Sequence, residues 1–246
     1  MSGALVVFAK QPLPGQVKTR LCPPFTPEQA ADFYACMLDD VLESTLRASA
    51  ALGLVAVLAL QPPEAAPPAS GDGLPRRPSR RSEFAAPAGL RREPQQGADL
   101  GARMEHAFAR ELAAGYGPVL LRGSDSPTLG LDTLSAALAA LAHSDLAICP
   151  DRDGGYNLVG LRRPAPGLFS HPMSTASVLA DTLAHAETAG LTHVLLPAGF
   201  DIDTSADLAL LAEARHAGAT GECPRTLAFL DRHGLWKLGT PRLTTR

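Results

Sequence analysis

The chain has 246 residues, of which 46% are hydrophobic and 19% charged, and its formal net charge is −3. This length and apolar fraction suffice for a buried core, and the slight acidity disfavours a protein that binds nucleic acid through phosphate contacts. Four cysteines without a C-x-x-C pair indicate reduced thiols in a cytoplasmic protein. The first apolar run, Ala4–Ala9, is too short for a signal-peptide core, and the longest, at 50–60, is too short to span a bilayer, so we expect no membrane association.

Predicted strands and helices alternate along the chain. The first strand, Ala4–Ala9, is a continuous apolar run typical of a parallel sheet buried on both faces. The first helix begins at Pro27, with Thr26 as its N-cap. Further strands are predicted at 54–60, 119–121, 146–149, 155–161 and 193–196, and further helices at 99–114, 131–142, 174–189 and 205–216. The alternation predicts one α/β layered domain over residues 1–246, built on a mostly parallel sheet.

The segment 61–94 differs from the rest of the chain in composition. It contains eight of the 22 prolines and six arginines. Such a stretch cannot bury much apolar surface, so we expect a solvated surface excursion, with one short strand near 83–85. A basic loop that touches an anionic substrate is the alternative interpretation.

A loop with three cations follows the first strand. Ligands of open parallel sheets bind beyond the carboxyl ends of the strands, which is where this loop lies. It is neither a Walker A loop nor a dinucleotide fingerprint, because Val17 precedes Lys18 and only Gly15 is present. Gly15 allows close approach of the backbone to a ligand, and Lys18, Thr19 and Arg20 are suited to phosphate oxygens. We call this loop, residues 10–20, the basic turn, and the sequence predicts that it binds phosphate.

Two acidic segments are candidates for a divalent metal site. Asp125 stands at the end of a predicted strand, where it either binds a cation or caps the turn before Pro127. Thr204 and Asp207 resemble a capping box, which leaves the preceding aspartates of the Asp-Ile-Asp segment at 201–203 without a structural explanation. Either Asp201 or Asp203 could be the second ligand beside Asp125, and we favour Asp203. Two carboxylates suit Mg²⁺, which prefers one or two of them together with phosphate oxygens.

A glycine pair follows the strand at 146–149. Asp153, Tyr156 and Asn157 flank Gly154 and Gly155 and have the polar groups to bind an acceptor substrate. A plain hairpin turn explains the same residues equally well.

Taken together, these segments resemble a known family. The motifs are VVFAKQPLPGQVKTRL, GADLGARMEHAF, GSDSPTL, PDRDGGYNLVGL, MSTASVLADT and DIDTSADL, and they span Val6 to Leu208. They resemble the glycosyltransferase-like family named rSAM/selenodomain-associated transferase, of the GT-A superfamily of nucleotide-diphospho-sugar transferases. The chain is more distantly similar to phospholactate guanylyltransferases and molybdenum-cofactor nucleotidyltransferases. Members of the family often have Cys where Ser126 stands.

The resemblance implies a GT-A-type three-layer α/β/α sandwich, a nucleotide or nucleotide-sugar donor, a small-molecule acceptor and Mg²⁺ or Mn²⁺. By position, the donor's phosphates would be bound by Lys10, Gly15, Lys18, Thr19 and Arg20. The metal would be bound by Asp125 and Asp203, and the acceptor would face Arg103, Asp153, Gly155 and Tyr156. Lys18, Arg20 and Asp125 would carry catalysis.

Three functions stay open at this point. The resemblance favours metal-dependent sugar transfer from a nucleotide donor. Nucleotidyl transfer with release of pyrophosphate is favoured by the basic turn and by Ser124, because sugar transferases of this fold usually have an Asp-x-Asp pair where this chain has only Asp125. A non-catalytic nucleotide-binding protein is the third alternative, because no general base is evident.

Overall fold

A computed structural model of the chain describes residues 2–62, 86–220 and 222–238. The strands in this part are β1 (Ala4–Ala9), β2 (Val55–Leu60), β3 (Arg91–Pro94), β4 (Val119–Gly123), β5 (Leu146–Pro150), β6 (Tyr156–Leu161) and β7 (His193–Leu195). The helices are α1 (Pro27–Leu52), α2 (Leu100–Ala113), α3 (Leu131–Leu141), α4 (Val178–Thr188), α5 (Asp207–His216) and α6 (Pro224–His233), with 3-10 turns at Thr19–Leu21 and Leu235–Leu238.

The described strands form one mixed, mostly parallel sheet in the order β3-β2-β1-β4-β6-β5-β7. β1 pairs in parallel with β2 and β4, β2 with β3, and β5 with β7. β6 runs antiparallel between β4 and β5. Because β6 is reversed, its first residues lie at the edge where β1, β4 and β5 end. That edge is the one at which ligands of parallel sheets bind.

Helices cover both faces of this sheet. All six residues of β1 are buried, and they alternate between the two faces. Val6 and Phe8 pack with Met104 and Phe108 of α2. Val7 packs with α1 on the other face, where a neighbouring cluster contains α3. The predicted α/β fold is confirmed.

The start of α1 is the one that the sequence predicts. The Thr26 side chain accepts a hydrogen bond from the backbone N–H of Gln29, whose side chain accepts one from the Thr26 N–H, and Pro27 occupies the first turn. At the other end Gly53 adopts a left-handed conformation with φ 67° and closes the helix. Capping interactions are therefore present at both ends of this long helix.

Two helices begin at least two residues later than predicted. α4 starts at Val178 and not at Ser174, because Ser174 has a left-handed backbone with φ 65° that a helix cannot contain. α5 starts at Asp207 and not at 205. The Asp207 carboxylate accepts hydrogen bonds from the N–H groups of Asp203 and Thr204 and from the Thr204 hydroxyl, which holds these residues in a turn.

One strand and one α-helix of the described residues were not predicted. The last four residues of the segment 61–94 are β3, so the predicted surface excursion is wrong at that end; its proline-rich centre and the strand expected near 83–85 lie outside the described residues. α6 packs against α1, where the buried Asp40 carboxylate accepts from the N–H groups of Arg225 and Thr226.

In the part of the chain that the structure describes, no helix has the length and hydropathy needed to cross a bilayer.

Candidate functional site

A cleft of about 590 Å³ lies at the edge where β1, β4 and β5 end and β6 begins. One wall is the turn after β1, and the floor is the loop that follows β4. The opposite wall consists of the β5–β6 loop, the segment before α4 and the segment before α5. The cleft is thus built by loops that a single sheet edge brings together.

Lys18 connects three of these loops. Its Nζ lies 2.5 Å from Oδ1 of Asp125 and 2.8 Å from Oδ1 of Asp203, and only 4% of its side chain is exposed. Burial by itself would lower the pKa of Lys18, but the two carboxylates outweigh it and hold the pKa above its usual value. Arg20 is more exposed and approaches Oδ2 of Asp203 at 3.7 Å. The two carboxylates therefore converge on one cationic position.

The backbone around Lys18 is shaped for this contact. Lys18 has φ 49° and ψ 34°, a left-handed conformation that is uncommon outside glycine, and the 3-10 turn Thr19–Leu21 begins immediately after it. The Leu21 N–H donates to the Lys18 carbonyl oxygen at 3.0 Å, and the Leu21 side chain is fully buried. This anchoring keeps the ammonium between the two carboxylates.

Tyr34 of α1 connects the basic turn to the β4 loop from below. The Lys10 N–H donates to the Tyr34 hydroxyl at 3.0 Å, and the same hydroxyl lies 2.8 Å from Oγ of Ser124. Tyr34 is almost fully buried, and burial, followed by the charge of Asp125, raises its pKa to about 12. The hydroxyl therefore stays protonated at neutral pH. Tyr34 is not among the predicted site residues, because in the sequence a tyrosine on the apolar face of a helix is indistinguishable from a core residue.

Two further aspartates lie in the cleft. Burial and then the charge of Asp125 raise the pKa of Asp201 to about 8, and the Ser126 hydroxyl donates to its Oδ1. Burial also raises the pKa of Asp151 to about 6, and its Oδ1 accepts from the Asp201 N–H at 3.2 Å. Bound cations would favour the charged forms of both groups.

A buried arginine lies beneath this acidic group. Arg122 of β4 is fully buried; its Nη2 donates to the Ser126 carbonyl oxygen at 2.8 Å and its Nη1 to Ser44 at 3.3 Å. Burial lowers its pKa to about 10, so it remains charged at neutral pH. Its contact with Ser126 holds the loop that carries Asp125.

The β5–β6 loop packs tightly against the segment before α4. Gly154 has φ 91°, and a Cβ at that position would overlap the Ala176 carbonyl oxygen. Its own carbonyl oxygen accepts from the Leu179 N–H at 2.9 Å. Beside this contact, the Tyr156 hydroxyl lies 3.4 Å from Oγ1 of Thr182, and burial raises the Tyr156 pKa to about 12.

The structure brings most of the predicted site residues into this one cleft: Lys10, Lys18, Thr19, Arg20, Asp125, Asp153, Gly155, Tyr156 and Asp203. Two others do not line it. Gly15 is at a turn with φ 77° and open space around it, and Arg103 donates from Nε to the Gly97 carbonyl oxygen at 3.3 Å. The roles assigned to these two residues therefore have no support from their placement.

Comparison with known proteins defines the family. The sequence profile described as "Uncharacterized protein conserved in bacteria (DUF2064)" matches residues 45–175. The chain belongs to this family. This member is 30% identical over 214 residues to a phosphoenolpyruvate guanylyltransferase from Sphaerobacter thermophilus, an alignment that covers 83% of the chain and 91% of the relative.

Solved structures agree with the fold of this family member. A crystal structure from Desulfovibrio desulfuricans G20, described as a candidate nucleotide-diphospho-sugar transferase, superimposes with a TM-score of 0.80 at 30% identity, covering 97% of this chain and 99% of that one. A cytidylyltransferase from Leptospira borgpetersenii has a TM-score of 0.54 at 12% identity, covering 98% of each chain, which shows a shared fold. The chain therefore has a nucleotide-diphospho-sugar transferase-like structure, and its relatives support a transferase.

Proposed function

We propose that this protein is a metal-dependent transferase that takes a sugar from a nucleotide-sugar donor. The observation that carries the proposal is the convergence of Lys18, Asp125 and Asp203 in one cleft next to a basic turn. The similarity to the nucleotide-diphospho-sugar transferase-like structure, over almost the whole of both chains, favours the sugar as the transferred group.

The carboxylates Asp125 and Asp203 are the residues that would bind the divalent cation. Both already direct an oxygen at one cation, the Lys18 ammonium, and about a third of each side chain is open to the cleft. The described residues contain no group of three or more His, Cys, Asp or Glu arranged to enclose a metal. Two carboxylates completed by phosphate oxygens and water are the arrangement that Mg²⁺ favours, so these residues fit the metal. When bound, it would neutralise charge on the diphosphate.

The cations of the basic turn would supply fixed positive charge for the leaving nucleoside diphosphate. Lys10, Lys18 and Arg20 line the same wall of the cleft, and the Lys18 ammonium is held rigidly by its two ion pairs. Charges that are in place before the reaction stabilise a developing anion without reorganisation. In transfers of this kind the protein contributes mostly positioning and electrostatics.

Nucleotidyl transfer is the second candidate function. It is favoured by the similarity to a phosphoenolpyruvate guanylyltransferase over most of both chains. It is also favoured by the surroundings of Asp125, because the residues two positions away on either side are Gly123 and Pro127, so Asp125 belongs to no Asp-x-Asp pair. In this reaction the donor would be a nucleoside triphosphate and the product pyrophosphate.

A donor screen distinguishes the two reactions. The purified protein is tested by thermal shift with nucleoside triphosphates and nucleotide sugars, with and without Mg²⁺, and every stabilising donor is then assayed for free nucleoside diphosphate and for pyrophosphate. We expect Mg²⁺-dependent stabilisation by a nucleotide sugar, lost in Asp203→Asn. Pyrophosphate from a triphosphate would assign nucleotidyl transfer. Metal-independent binding without any product would identify a non-catalytic nucleotide-binding protein.

A further inference from the structure

One exposed leucine lies inside the cleft. Of the large apolar side chains in the described residues, four are exposed: Leu100, Leu131, Val194 and Leu195. Among these four, Leu100 alone lines the cleft; it is the first residue of α2, and it is 39% exposed. Single exposed leucines are ordinary on a protein surface. In the wall of a ligand-sized cleft, the same side chain offers apolar surface to whatever the cleft binds.

Leu100 belongs to a larger apolar patch. We use this name for five side chains that all line the cleft: Phe8, Leu100, Met104, Leu121 and Met173. Phe8, Met104 and Leu121 are members of the core cluster on the α2 face of the sheet, and Met173 packs against that cluster. Leu100 precedes Met104 by four residues and therefore lies on the same side of α2. The patch is thus a continuation of the hydrophobic core into the cleft.

Close packing holds the two sides of the patch together. A Cβ at Gly101 would overlap the Phe169 carbonyl oxygen, so the first turn of α2 lies directly against the segment that leads to Met173. Phe169 also stacks on Phe108 of α2, with the ring centroids 5.6 Å apart. The start of α2, with Leu100, is therefore held next to the segment before α4.

Charged and apolar surfaces of the cleft belong to opposite faces of the sheet. Val17, which precedes Lys18, packs with α1, and Tyr34 of α1 is bonded to the loop that carries Asp125. The ion pair of Lys18 with Asp125 therefore lies on the α1 side, where it suits a donor's phosphates. The apolar patch lies on the α2 side. Tyr156, which is on the wall opposite the basic turn, packs against the same core cluster as the patch.

We propose that the acceptor carries an apolar group, and that this group binds to the apolar patch. Contact with such a surface is favourable in proportion to the apolar area that both partners remove from water. The side chains of Met104 and Met173 are unbranched and flexible, so they can adapt to groups of different shape. This inference rests on the proposed function only in calling the bound molecule an acceptor.

Two matched leucine variants test the inference. Leu100 and Leu131 are each the first residue of a helix and are 39% and 40% exposed, and of the two Leu100 alone lines the cleft. Leu100→Gln and Leu131→Gln therefore make the same change in equivalent positions, and glutamine has nearly the helix propensity of leucine.

The probes are ethanol, butanol and hexanol, which share one hydroxyl and differ in apolar length. Binding to the full chain is measured by NMR of methionine methyl groups labelled with ¹³C. Met104 and Met173 report contact at the patch, and Met37, which is fully buried in a different cluster, is the internal reference. Thermal unfolding of each variant measures its stability.

We expect the affinity to rise about twofold to fourfold with each methylene from ethanol to hexanol, with shifts at Met104 and Met173. Leu100→Gln should weaken hexanol binding about fivefold, whereas Leu131→Gln should leave it unchanged. Met173→Gln should give a similar loss from the other side of the patch, and it carries the test if Leu100→Gln does not fold. An affinity that is independent of chain length, or equal losses in the two leucine variants, would overturn the inference.

A competition experiment separates the acceptor from the donor's base. Hexanol should still bind when the protein is saturated with the nucleoside diphosphate of the donor and Mg²⁺, because the acceptor and the donor occupy the cleft together. Displacement of hexanol by the nucleotide would assign the patch to the base of the donor and would overturn the inference.

Failure of the proposed function gives a different result. If no nucleotide sugar or triphosphate binds, the transferase assignment fails, while the titrations of wild type and Leu100→Gln still decide whether the patch binds an apolar group. If donors bind with Mg²⁺ and the alcohols show no dependence on chain length, the transferase assignment stands and the inference about the patch fails.

Discussion

The Lys18 ammonium is 2.5 Å from Oδ1 of Asp125, although the two residues follow different strands of the sheet. The contact depends on the left-handed backbone of Lys18, which turns its side chain inward beneath the basic turn. It joins the wall that would bind phosphates to the loop that would bind the metal. Substitution of Lys18 or of Asp125 should therefore weaken both phosphate binding and metal binding.

Lys18→Ala should slow the transfer step strongly. Removing one preorganised charge that stabilises a developing anion costs about 2–4 kcal/mol in transition-state stabilisation. Arg20→Ala is the comparison: its side chain is 68% exposed, so solvent screens its charge and we expect a smaller loss. The measurement is kcat/KM with whichever donor the screen identifies. An unchanged rate in Lys18→Ala would refute the assigned role.

Tyr34→Phe should weaken the attachment of the loop after β4, which forms the floor of the cleft, and should leave the charge of the cleft unchanged. The phenol accepts from the Lys10 N–H and is bonded to Ser124, and phenylalanine keeps the ring packing but loses both bonds. We expect a loss of about 1–2 kcal/mol in the free energy of unfolding, and weaker donor binding. Urea unfolding and donor titration measure the two effects. Wild-type values for both would show that the link between the two loops is dispensable.

The elements with strong local signals could be predicted from the sequence. β1 is a continuous apolar run, and the capping box of α1 specifies its start residue by residue. The sheet edge that carries the cleft also follows from the sequence, because parallel strands place their carboxyl ends together. The convergence of the basic turn with Asp125 and Asp203 is thus a consequence of strand order that motif positions could anticipate.

Features that depend on tertiary contacts could not be predicted. The start of α4 is delayed by the left-handed Ser174, a conformation for which serine gives no sequence signal. β3 pairs in parallel with β2, although its segment is charged and contains a proline, a composition that does not predict a strand. The unpaired state of Asn157 is likewise invisible in the sequence, since pairing depends on which groups the fold places around it.

Gly154→Ala should disrupt the wall formed by the β5–β6 loop. Alanine at this position meets two penalties: the left-handed backbone and an overlap with the Ala176 carbonyl oxygen. Gly190→Ala is the matched control, since it has φ 64° and open space around it, and should cost only the backbone penalty of about 1–2 kcal/mol. Thermal unfolding should show a clearly larger loss for Gly154→Ala. Equal losses would mean that the Ala176 segment moves aside freely.

Asp145, which does not line the cleft, should make a pH-dependent contribution to the stability of the fold. Hydrogen bonds from Arg163 and Arg162, and then from Thr192, hold the pKa of this buried carboxyl well below its usual range. Because the folded-state pKa is lowered, the stabilisation is present above the ordinary Asp value of about 3.9 and is lost as the pH falls through the folded-state pKa. Asp145→Asn should therefore cost about 2–3 kcal/mol at pH 7.

The difference between wild type and Asp145→Asn should shrink as the solution is acidified below about pH 4, since protonation then removes in the wild type what the substitution removes in the variant. Urea unfolding of both proteins across this range measures it. The conservative Asp231→Asn is a suitable control, because Asp231 pairs with Arg215 on the surface, where solvent screening leaves less to lose. A constant difference between wild type and Asp145→Asn down to strongly acid pH would show that the carboxylate charge does not stabilise this junction, and that the shape of the side chain does.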